Sequence, residues 1–392
     1  MERIAILALA VAMAVFVTPL FFDLALCIVG NAFRARRARA AVKRVIRLAV
    51  VVPAHDEELM IGRTVNSVLS ADSSIPVFVV AHNCSDSTAS IAAACGAQVV
   101  ALNDPKQHGK AAALRRGFAL AQSAGSNAML VIDADSIVSP NLIEATRSAL
   151  EDGADATQCR NELEPAAGMN STPLARLRML AFRGMNVLRA RGRAGLGFST
   201  GLFGIGFSVT SEALSRVPFL ADSITEDVEY HTRLVCSGVR VAWIGEAYVH
   251  THLSAPGSVQ AVQEARWEGG RLLVARRATG KLLSAVLRGN WSALETLADV
   301  WSLPLSRGIL ALLLTAALPV HWLHVFAIAC GAIALVYVLE SALLGPEPIR
   351  DIVSLVASPL HLTWKAAITP LVVRQSRSRA TWSRTKREAP QP

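Results

Sequence analysis

Two aspartates follow an apolar run directly, because Asp133-Ala-Asp135 comes after residues 128–132. If that run is a strand, both carboxylates leave the same strand end and can bind one divalent cation together. Mg²⁺ held in this way usually also takes oxygen ligands from a substrate phosphate. The alternative is a solvated loop that caps the helix predicted from Pro140, since a D-x-D pattern alone is common.

Other polar residues lie in three segments next to predicted elements: residues 53–57, 82–86 and 108–110. Lys110, beside the flexible Gly109, suits contact with a phosphate as a point charge, although a surface lysine at a helix start would look the same. The chain lacks the pattern G-x-x-x-x-G-K-[ST] of a P-loop, and residues 201–206 do not match the dinucleotide pattern G-x-G-x-x-G.

Short apolar runs alternate with helical patterns in residues 48–150. The predicted strands are 48–53, 76–81, 98–102 and 128–132, and the predicted helices are 57–70, 87–95, 110–123 and 140–150. This alternation predicts an α/β fold whose parallel sheet is covered by helices on both faces. Ligands of such sheets bind at the carboxyl ends of the strands, so the polar segments are expected to converge at one edge.

A second acidic pair, Glu226 and Asp227, follows Thr225. A carboxylate is a suitable general base for a hydroxyl group. Residues 223–226 also fit a capping box, and acidic residues are favoured in the first turn of a helix. The two interpretations are compatible, because a helix start holds a carboxylate rigidly.

Gln263, Arg266 and Trp267 are spaced to share one face of a helix. A tryptophan can stack on a sugar ring while an arginine binds phosphate. The alternative is an amphipathic helix that lies on a membrane with its tryptophan at the interface. His250 and His252 alternate on a predicted strand from 239 to 249 and onward, where a hydrogen-bonded or exposed pair is favoured over a metal site. The basic helix 173–193 is interpreted as packing or membrane contact.

The 392 residues are 52% hydrophobic and 18% charged, which indicates a membrane protein that also has a soluble domain. The net charge of +9 arises from thirteen basic residues in segments 34–47 and 374–387, without which acidic residues would outnumber basic ones. Both segments flank apolar stretches, as cytoplasmic membrane flanks do, so nucleic-acid binding is not expected. The six scattered cysteines indicate neither a disulfide framework nor a zinc site.

Three apolar stretches predict contact with a membrane. Residues 4–30 are longer than the core of a signal peptide and precede a basic block, which favours a retained anchor. Asp23 within it is expected near the interface or against another helix. Residues 302–319 and 321–344 predict a helical hairpin, and residues 349–373, which contain Lys365, predict an interfacial or re-entrant segment more than a further span.

Taken in order, the motifs resemble those of membrane-anchored family 2 glycosyltransferases, the group of cellulose, chitin and hyaluronan synthases. The matching residues are Val51-Val-Pro-Ala-His-Asp-Glu57, Asp86, Lys110, Asp133-Ala-Asp135, Thr225-Glu-Asp227 and Gln263-Glu-Ala-Arg-Trp267. The resemblance covers residues 48–280 and implies a GT-A-type, Rossmann-like nucleotide-sugar-binding domain with flanking transmembrane helices.

The resemblance also implies a role for each matched residue. Ala54, Glu57 and Asp86 would contact the nucleoside, Lys110 the diphosphate, and Asp133 the nucleotide sugar. Asp135 would bind Mg²⁺ or Mn²⁺, and Asp227 would be the general base. Arg266 would contact the donor diphosphate, and Glu226, Gln263 and Trp267 the acceptor. One departure concerns the nucleotide: the family usually has an aspartate after the second strand, where this chain has Ala81 and His82.

The implied organisation has seven parts, with the catalytic domain on the cytoplasmic side of a bacterial-type inner or plasma membrane. They are an anchor (1–30), a basic segment (31–47), the GT-A domain (48–255), interface helices (256–301), a transmembrane hairpin (302–345), an interfacial, re-entrant or spanning segment (346–373) and a basic tail (374–392).

The implied function is inverting, metal-dependent transfer of a hexosyl or N-acetylhexosaminyl group from a UDP-sugar. The acceptor would be a polysaccharide or a lipid-linked saccharide, with membrane lipid as a further partner. The alternative is an inactive scaffold or export partner of a polysaccharide assembly system, for which the substitution at Ala81 and His82 is the best support.

Overall fold

The computed structural model of the protein describes residues 2–33, 43–104, 109–164, 172–252 and 258–376. Most of the first basic segment, His108 and nearly all of the basic tail therefore lie outside the described residues.

Eight strands form one sheet in the order β3-β2-β1-β4-β7-β6-β8-β5. The strands are β1 (Leu48–Ala54), β2 (Val77–His82), β3 (Gln98–Leu102), β4 (Ala128–Val131), β5 (Ile137–Val138), β6 (Ala156–Glu164), β7 (Phe207–Thr210) and β8 (Val241–His252).

The first four strands pair in parallel, as the sequence predicts, but the sheet as a whole is mixed. Strand β7 runs antiparallel to β4 and β6, and β5 runs antiparallel to β8. Strands β6 and β8 pair in parallel with each other, so the sheet beyond β4 contains both kinds of pairing. The prediction made from residues 48–150 is confirmed for its four strands and does not extend to the others.

Helices cover both faces of the parallel half, and β1 shows why. Its side chains alternate, so that Val50 and Val52 join one apolar core and Ala49 and Val51 join the other. The helices around the first core are α2 (Ile61–Ala71), α3 (Thr88–Ala94) and α5 (Leu142–Glu151). Those around the second are α4 (Lys110–Ser123), α8 (Ser211–Arg216) and α9 (Glu226–Cys236).

The remaining helices surround this domain. They are α1 (Glu2–Asn31), α6 (Pro173–Arg183), α7 (Arg189–Gly195), α10 (Ser258–Leu287), α11 (Trp291–Trp301), α12 (Leu305–Ala316), α13 (His321–Leu343), α14 (Pro348–Val353), α15 (Ser358–Ala367) and α16 (Thr369–Gln375). A π-helical turn at Gly184–Leu188 joins α6 to α7 within the predicted basic helix.

Within the described residues, two helices are long and apolar enough to cross a membrane, Ile4–Asn31 and His321–Leu343. Two bent pairs raise this to four if each pair counts as one span: α11 with α12, bent by 77°, and α14–α15 with α16, bent by 45°. How these helices sit in a bilayer stays a prediction.

The helix α1 packs very closely against α7, because glycines line their contact. A Cβ atom at Gly192 would lie 2.2 Å from the carbonyl oxygen of Cys27, and one at Gly195 would lie 2.0 Å from that of Gly30. Any larger residue would push the two backbones apart. The carboxyl-terminal part of the predicted basic helix thus packs against the apolar α1.

A buried ionic network joins α1 to the catalytic domain. Asp23, fully buried, pairs with Arg189 and with Arg193, whose Nη2 lies 2.9 Å from Asp23 Oδ1. Arg193 also binds Glu295 at 2.5 Å and Asp299 at 2.7 Å.

Arg271 of α10 completes the network by donating to the Asp299 carbonyl oxygen at 2.7 Å. Three guanidinium groups therefore face three carboxyl groups across α1, α7, α10 and α11.

Replacing Asp23 by Asn should destabilise the protein by about 3–5 kcal/mol, because it leaves two buried guanidinium groups short of a partner. Thermal unfolding in detergent measures the loss. Thr18→Val on the exposed part of the same helix is the control and should leave the transition unchanged. Equal stability of the two variants would contradict this role of Asp23.

Candidate active site

The D-x-D loop begins at the end of β4, at the carboxyl edge of the sheet, and a side chain of α2 holds it in place. Thr64, buried on α2, donates its hydroxyl to the Ala134 carbonyl oxygen at 2.8 Å. This bond fixes the residue between the two aspartates. The Asp133 side chain is 33% exposed, and Asp135 is buried at 6% exposure.

Lys110, the first residue of α4, draws three chain segments together. Its Nζ lies 2.5 Å from Asp133 Oδ1 and donates to the Gly204 carbonyl oxygen at 2.6 Å. Gly204 has φ of +77°, and a Cβ atom there would lie 3.3 Å from Asp227 Oδ2. Glycine is therefore suited both to this backbone conformation and to the approach of the Asp227 carboxylate. Lys110, Asp133 and Asp227 meet around it.

The acidic pair begins α9, but not through the predicted capping box. The helix starts at Glu226, so Thr225 and not Ser223 is the N-cap residue, and that prediction is wrong. The Glu229 carboxylate accepts the Ser223 N–H at 3.1 Å, which joins the loop before α9 to the first turns of the helix. Asp227 Oδ1 accepts the Val228 N–H at 2.8 Å, which fixes the carboxylate at the helix start.

The charges in this cluster shift one another's pKa values. Burial raises the pKa of Glu226 to about 7, with Lys110 opposing the rise and Asp227 adding to it. Burial also raises the pKa of Asp227, against the Val228 N–H and Lys110. The pKa of Lys110 is lowered by burial but raised more by Asp133, Glu226 and Asp227. The site thus holds more negative charge than its one ammonium group balances.

Helix α10 brings the Q-x-x-R-W residues to the same region. A Cβ atom at Gly270 would lie 2.7 Å from Thr225 Cγ2, so α10 lies directly against the start of α9. Arg266 is half-buried, and burial lowers its pKa while Glu226 raises it. Trp267 is 52% exposed, and Gln263 is half-buried.

The predicted nucleoside residues lie at the ends of β1 and β2, in loops that are bonded to each other. Ala54 is the buried last residue of β1. The Glu57 N–H donates to Thr88 Oγ1 at 2.8 Å. Asp86 accepts the Thr88 N–H at 3.0 Å and the Glu58 N–H at 3.1 Å, so its carboxylate joins the two loops.

The sequence does not predict that three possible metal ligands in the loops after β1 and β2 lie together. Asp56, Cys84 and Asp86 have ligand atoms within 4.8 Å of one another. Asp56 has φ of 53° and accepts the Ser85 N–H at 2.6 Å. These bonds serve to hold the loops after β1 and β2.

The histidines on β8 were expected to be a hydrogen-bonded or exposed pair. His250 Nε2 lies 3.3 Å from Glu162 Oε2, and its ring stacks on Tyr248 with centroids 4.6 Å apart. His250 is therefore hydrogen-bonded, as favoured. The side chain of His252 lies outside the described part of the chain.

A sequence model described as "Glycosyltransferase like family 2" matches residues 46–270, more than half of the chain. The chain belongs to this family. The match includes every motif from the first strand to Trp267, and the expected glycosyltransferase activity and fold class are confirmed. None of the curated proteins compared with this glycosyltransferase matches its sequence.

Solved structures resemble the glycosyltransferase in fold. The mannosyltransferase PcManGT from Pyrobaculum calidifontis, solved with GDP-Man and Mn²⁺, has a TM-score of 0.52 at 16% identity, covering 93% of this chain and 98% of that one. Glucosyl-3-phosphoglycerate synthase from Mycobacterium tuberculosis, solved with Mn²⁺, UDP and phosphoglyceric acid, has a TM-score of 0.40 at 23% identity, covering 61% and 78%.

Glu226 should titrate close to neutral pH in the protein without donor. Its raised pKa of about 7 means that the carboxyl is protonated in mild acid and ionised in mild base. The measurement is the infrared difference spectrum between wild type and Glu226→Gln. In that spectrum, the band of a protonated carboxyl should fade as the pH rises through 7. The control is Glu144→Gln, an exposed position on α5. A band already absent below pH 5 would contradict the shift.

Proposed function

We propose that the protein is a membrane-anchored, inverting glycosyltransferase that transfers a sugar from a UDP-sugar to a polysaccharide or lipid-linked acceptor. The observation that carries the proposal is the position of Lys110 between Asp133 and the Gly204 carbonyl, next to Asp227. A cation for a leaving phosphate and a carboxylate for an attacking hydroxyl are both needed for direct displacement.

The surplus negative charge supports a divalent cation. Asp133, Glu226 and Asp227 lie around the single ammonium group of Lys110, and Asp135 belongs to the same loop as Asp133. Asp135 would hold Mg²⁺ or Mn²⁺, because carboxylate oxygens are the ligands that these ions prefer. When bound, the ion supplies positive charge to the leaving diphosphate.

The resemblance to family 2 glycosyltransferases supports the remaining roles. Lys110 and Arg266 would bind the diphosphate, and Asp227, fixed at the start of α9, would take the proton of the acceptor hydroxyl. One base and a direct attack invert the anomeric centre. Gln263 and Trp267, with Glu226, would bind the acceptor, and the half-exposed Trp267 ring offers a surface for a sugar.

The nucleotide is the least constrained part of the donor. Ala54, Glu57 and Asp86 would contact the nucleoside at the ends of β1 and β2. The Asp86 carboxylate is already engaged by Thr88 and Glu58, and His82 replaces the usual aspartate. GDP-mannose belongs in the donor screen beside UDP-sugars, because PcManGT binds it and shares the fold over nearly the full chain.

The two apolar helices support an integral membrane protein. We propose the boundaries given by the sequence: the anchor 1–30, the basic segment 31–47, the cytoplasmic GT-A domain 48–255, interface helices 256–301, the hairpin 302–345, the segment 346–373 and the basic tail. The basic residues next to α1 and after α16 favour the cytoplasmic side.

Asp227→Asn should fold normally and lose turnover, because the amide keeps the shape of the carboxylate but cannot take a proton. The measurement is release of nucleoside diphosphate from purified protein, with UDP-sugars and GDP-mannose, in Mn²⁺ or Mg²⁺. Asp222→Asn is the matched control, since its carboxylate is exposed and lies just before the same helix. EDTA should abolish release, and added Mn²⁺ should restore it.

Wild-type rates in Asp227→Asn would overturn the assignment of the base. If no donor is turned over even with membrane lipid and polysaccharide added, the protein is better explained as a non-catalytic scaffold.

A further inference from the structure

Lys365 is out of place in the apolar stretch 349–373, and the proposed reaction gives it no role. It is buried at 7% exposure, on α15. Its ammonium group pairs with Glu264 and lies 2.7 Å from Glu268 Oε1, both on α10. These two carboxylates flank Arg266 and Trp267 in the sequence.

A second cation binds the same face of α10. Arg307, at the start of α12, places its Nε 2.5 Å from Glu268 Oε2 and its Nη1 2.5 Å from Thr369 Oγ1. We call Glu264, Glu268, Arg307 and Lys365 the back-face clamp. All four side chains are less than one-fifth exposed, so their charges are poorly screened by water.

The clamp grips a different face of α10 from the one at the active site. At 3.6 residues per turn, Glu264 and Glu268 lie about a third of a turn from the centre of the face with Gln263, Arg266 and Trp267. Gly270 lies on the face with Gln263, Arg266 and Trp267, and it packs against Thr225. A third contact comes from α16, where a Cβ atom at Gly269 would lie 2.9 Å from the Val372 carbonyl oxygen.

We propose that Lys365 is a positioning residue that fixes the rotation of α10 through Glu264 and Glu268, and thereby sets the direction of Arg266 and Trp267 at the active site. The part that concerns transfer rests on the proposed function. The consequence is that residues 346–373 help to build the catalytic site, although none of them carries a motif.

Lys365 can resist rotation of α10 because it contacts two carboxylates on that helix. A lysine that bridges carboxylates at i and i+4 opposes rotation in both directions, because turning the helix either way lengthens one of the two contacts. A rotation of about 20° moves atoms roughly 5 Å from the helix axis by about 2 Å. A misplacement of about 1 Å can cost a reaction as much as about 100-fold.

The test uses the full-length protein in lipid nanodiscs, labelled with 5-fluorotryptophan. The ¹⁹F resonance of Trp267 is assigned with Trp267→Phe. Lys365→Met should shift that resonance and lower transfer roughly 10–100-fold. It should also raise the share of donor that is hydrolysed instead of transferred, because Gln263 and Trp267 no longer hold the acceptor. A role limited to stability would leave that share unchanged.

Two further variants make the test specific. Lys281→Met is the control, since Lys281 is an exposed lysine on α10 outside the back-face clamp, and it should match wild type. Lys365→Arg keeps the charge and should retain most of the transfer. If Lys365→Met does not fold, the same measurements are made on the double variant Lys365→Met with Glu264→Gln. That variant removes one charge of each sign, so no unpaired charge is buried, and the contact between Lys365 and α10 is still absent.

An unshifted Trp267 resonance in the folded variant, or a shifted resonance with wild-type transfer, overturns the positioning role. The resonance needs no donor. If wild type transfers no sugar at all, the proposed function fails on its own, while the shift still reports whether Lys365 fixes α10.

Discussion

The buried ionic network around Asp23 is the constraint on which the arrangement of the molecule depends. Charges removed from water are costly unless each is paired, so Asp23, Arg189, Arg193 and Asp299 can be buried only while α1, α7 and α11 stay together. An apolar contact would allow α1 to slide or rotate against the catalytic domain. The network, together with the glycine contact at Gly192, fixes one arrangement.

The active site differs from this paired network, because its carboxylates outnumber the one ammonium group among them. Lys110 is one cation among several carboxylates, and the fold prevents them from moving apart: Asp133 leaves β4, Asp227 begins α9, and the Gly204 loop lies between them. Burial raises the pKa of Glu226, and the neighbouring Asp227 adds to the rise while Lys110 opposes it. A rigid excess of negative charge is a site prepared for a cation and its phosphate ligand, because no rearrangement is needed when they bind.

The sequence predicts the parallel half of the sheet well because each of its strands is a short apolar run. The bounds of β3 and α4 agree with the prediction to the residue. Of the other strands only β8 is predicted, as residues 239–249 and onward, and the structure has it at Val241–His252. Strands β6 and β7 and the order of β6, β7 and β8 are not predicted, because that order depends on contacts between distant segments. The motif residues were found from local spacing. Their partners were not, because Lys110 and Gly204 are 94 residues apart and Lys365 and Glu264 are 101 apart.

These distant partners explain how the parts of the chain act together. Helix α10 is held by two ionic groups, since Arg271 joins the Asp23 network and Glu264 joins Lys365. Asp23 and Lys365 lie near opposite ends of the chain, and each brings a charge from an apolar stretch to one of these groups. Between the two groups lie Arg266 and Trp267. The orientation of the motif helix therefore depends on the apolar helices as well as on its contact with the start of α9.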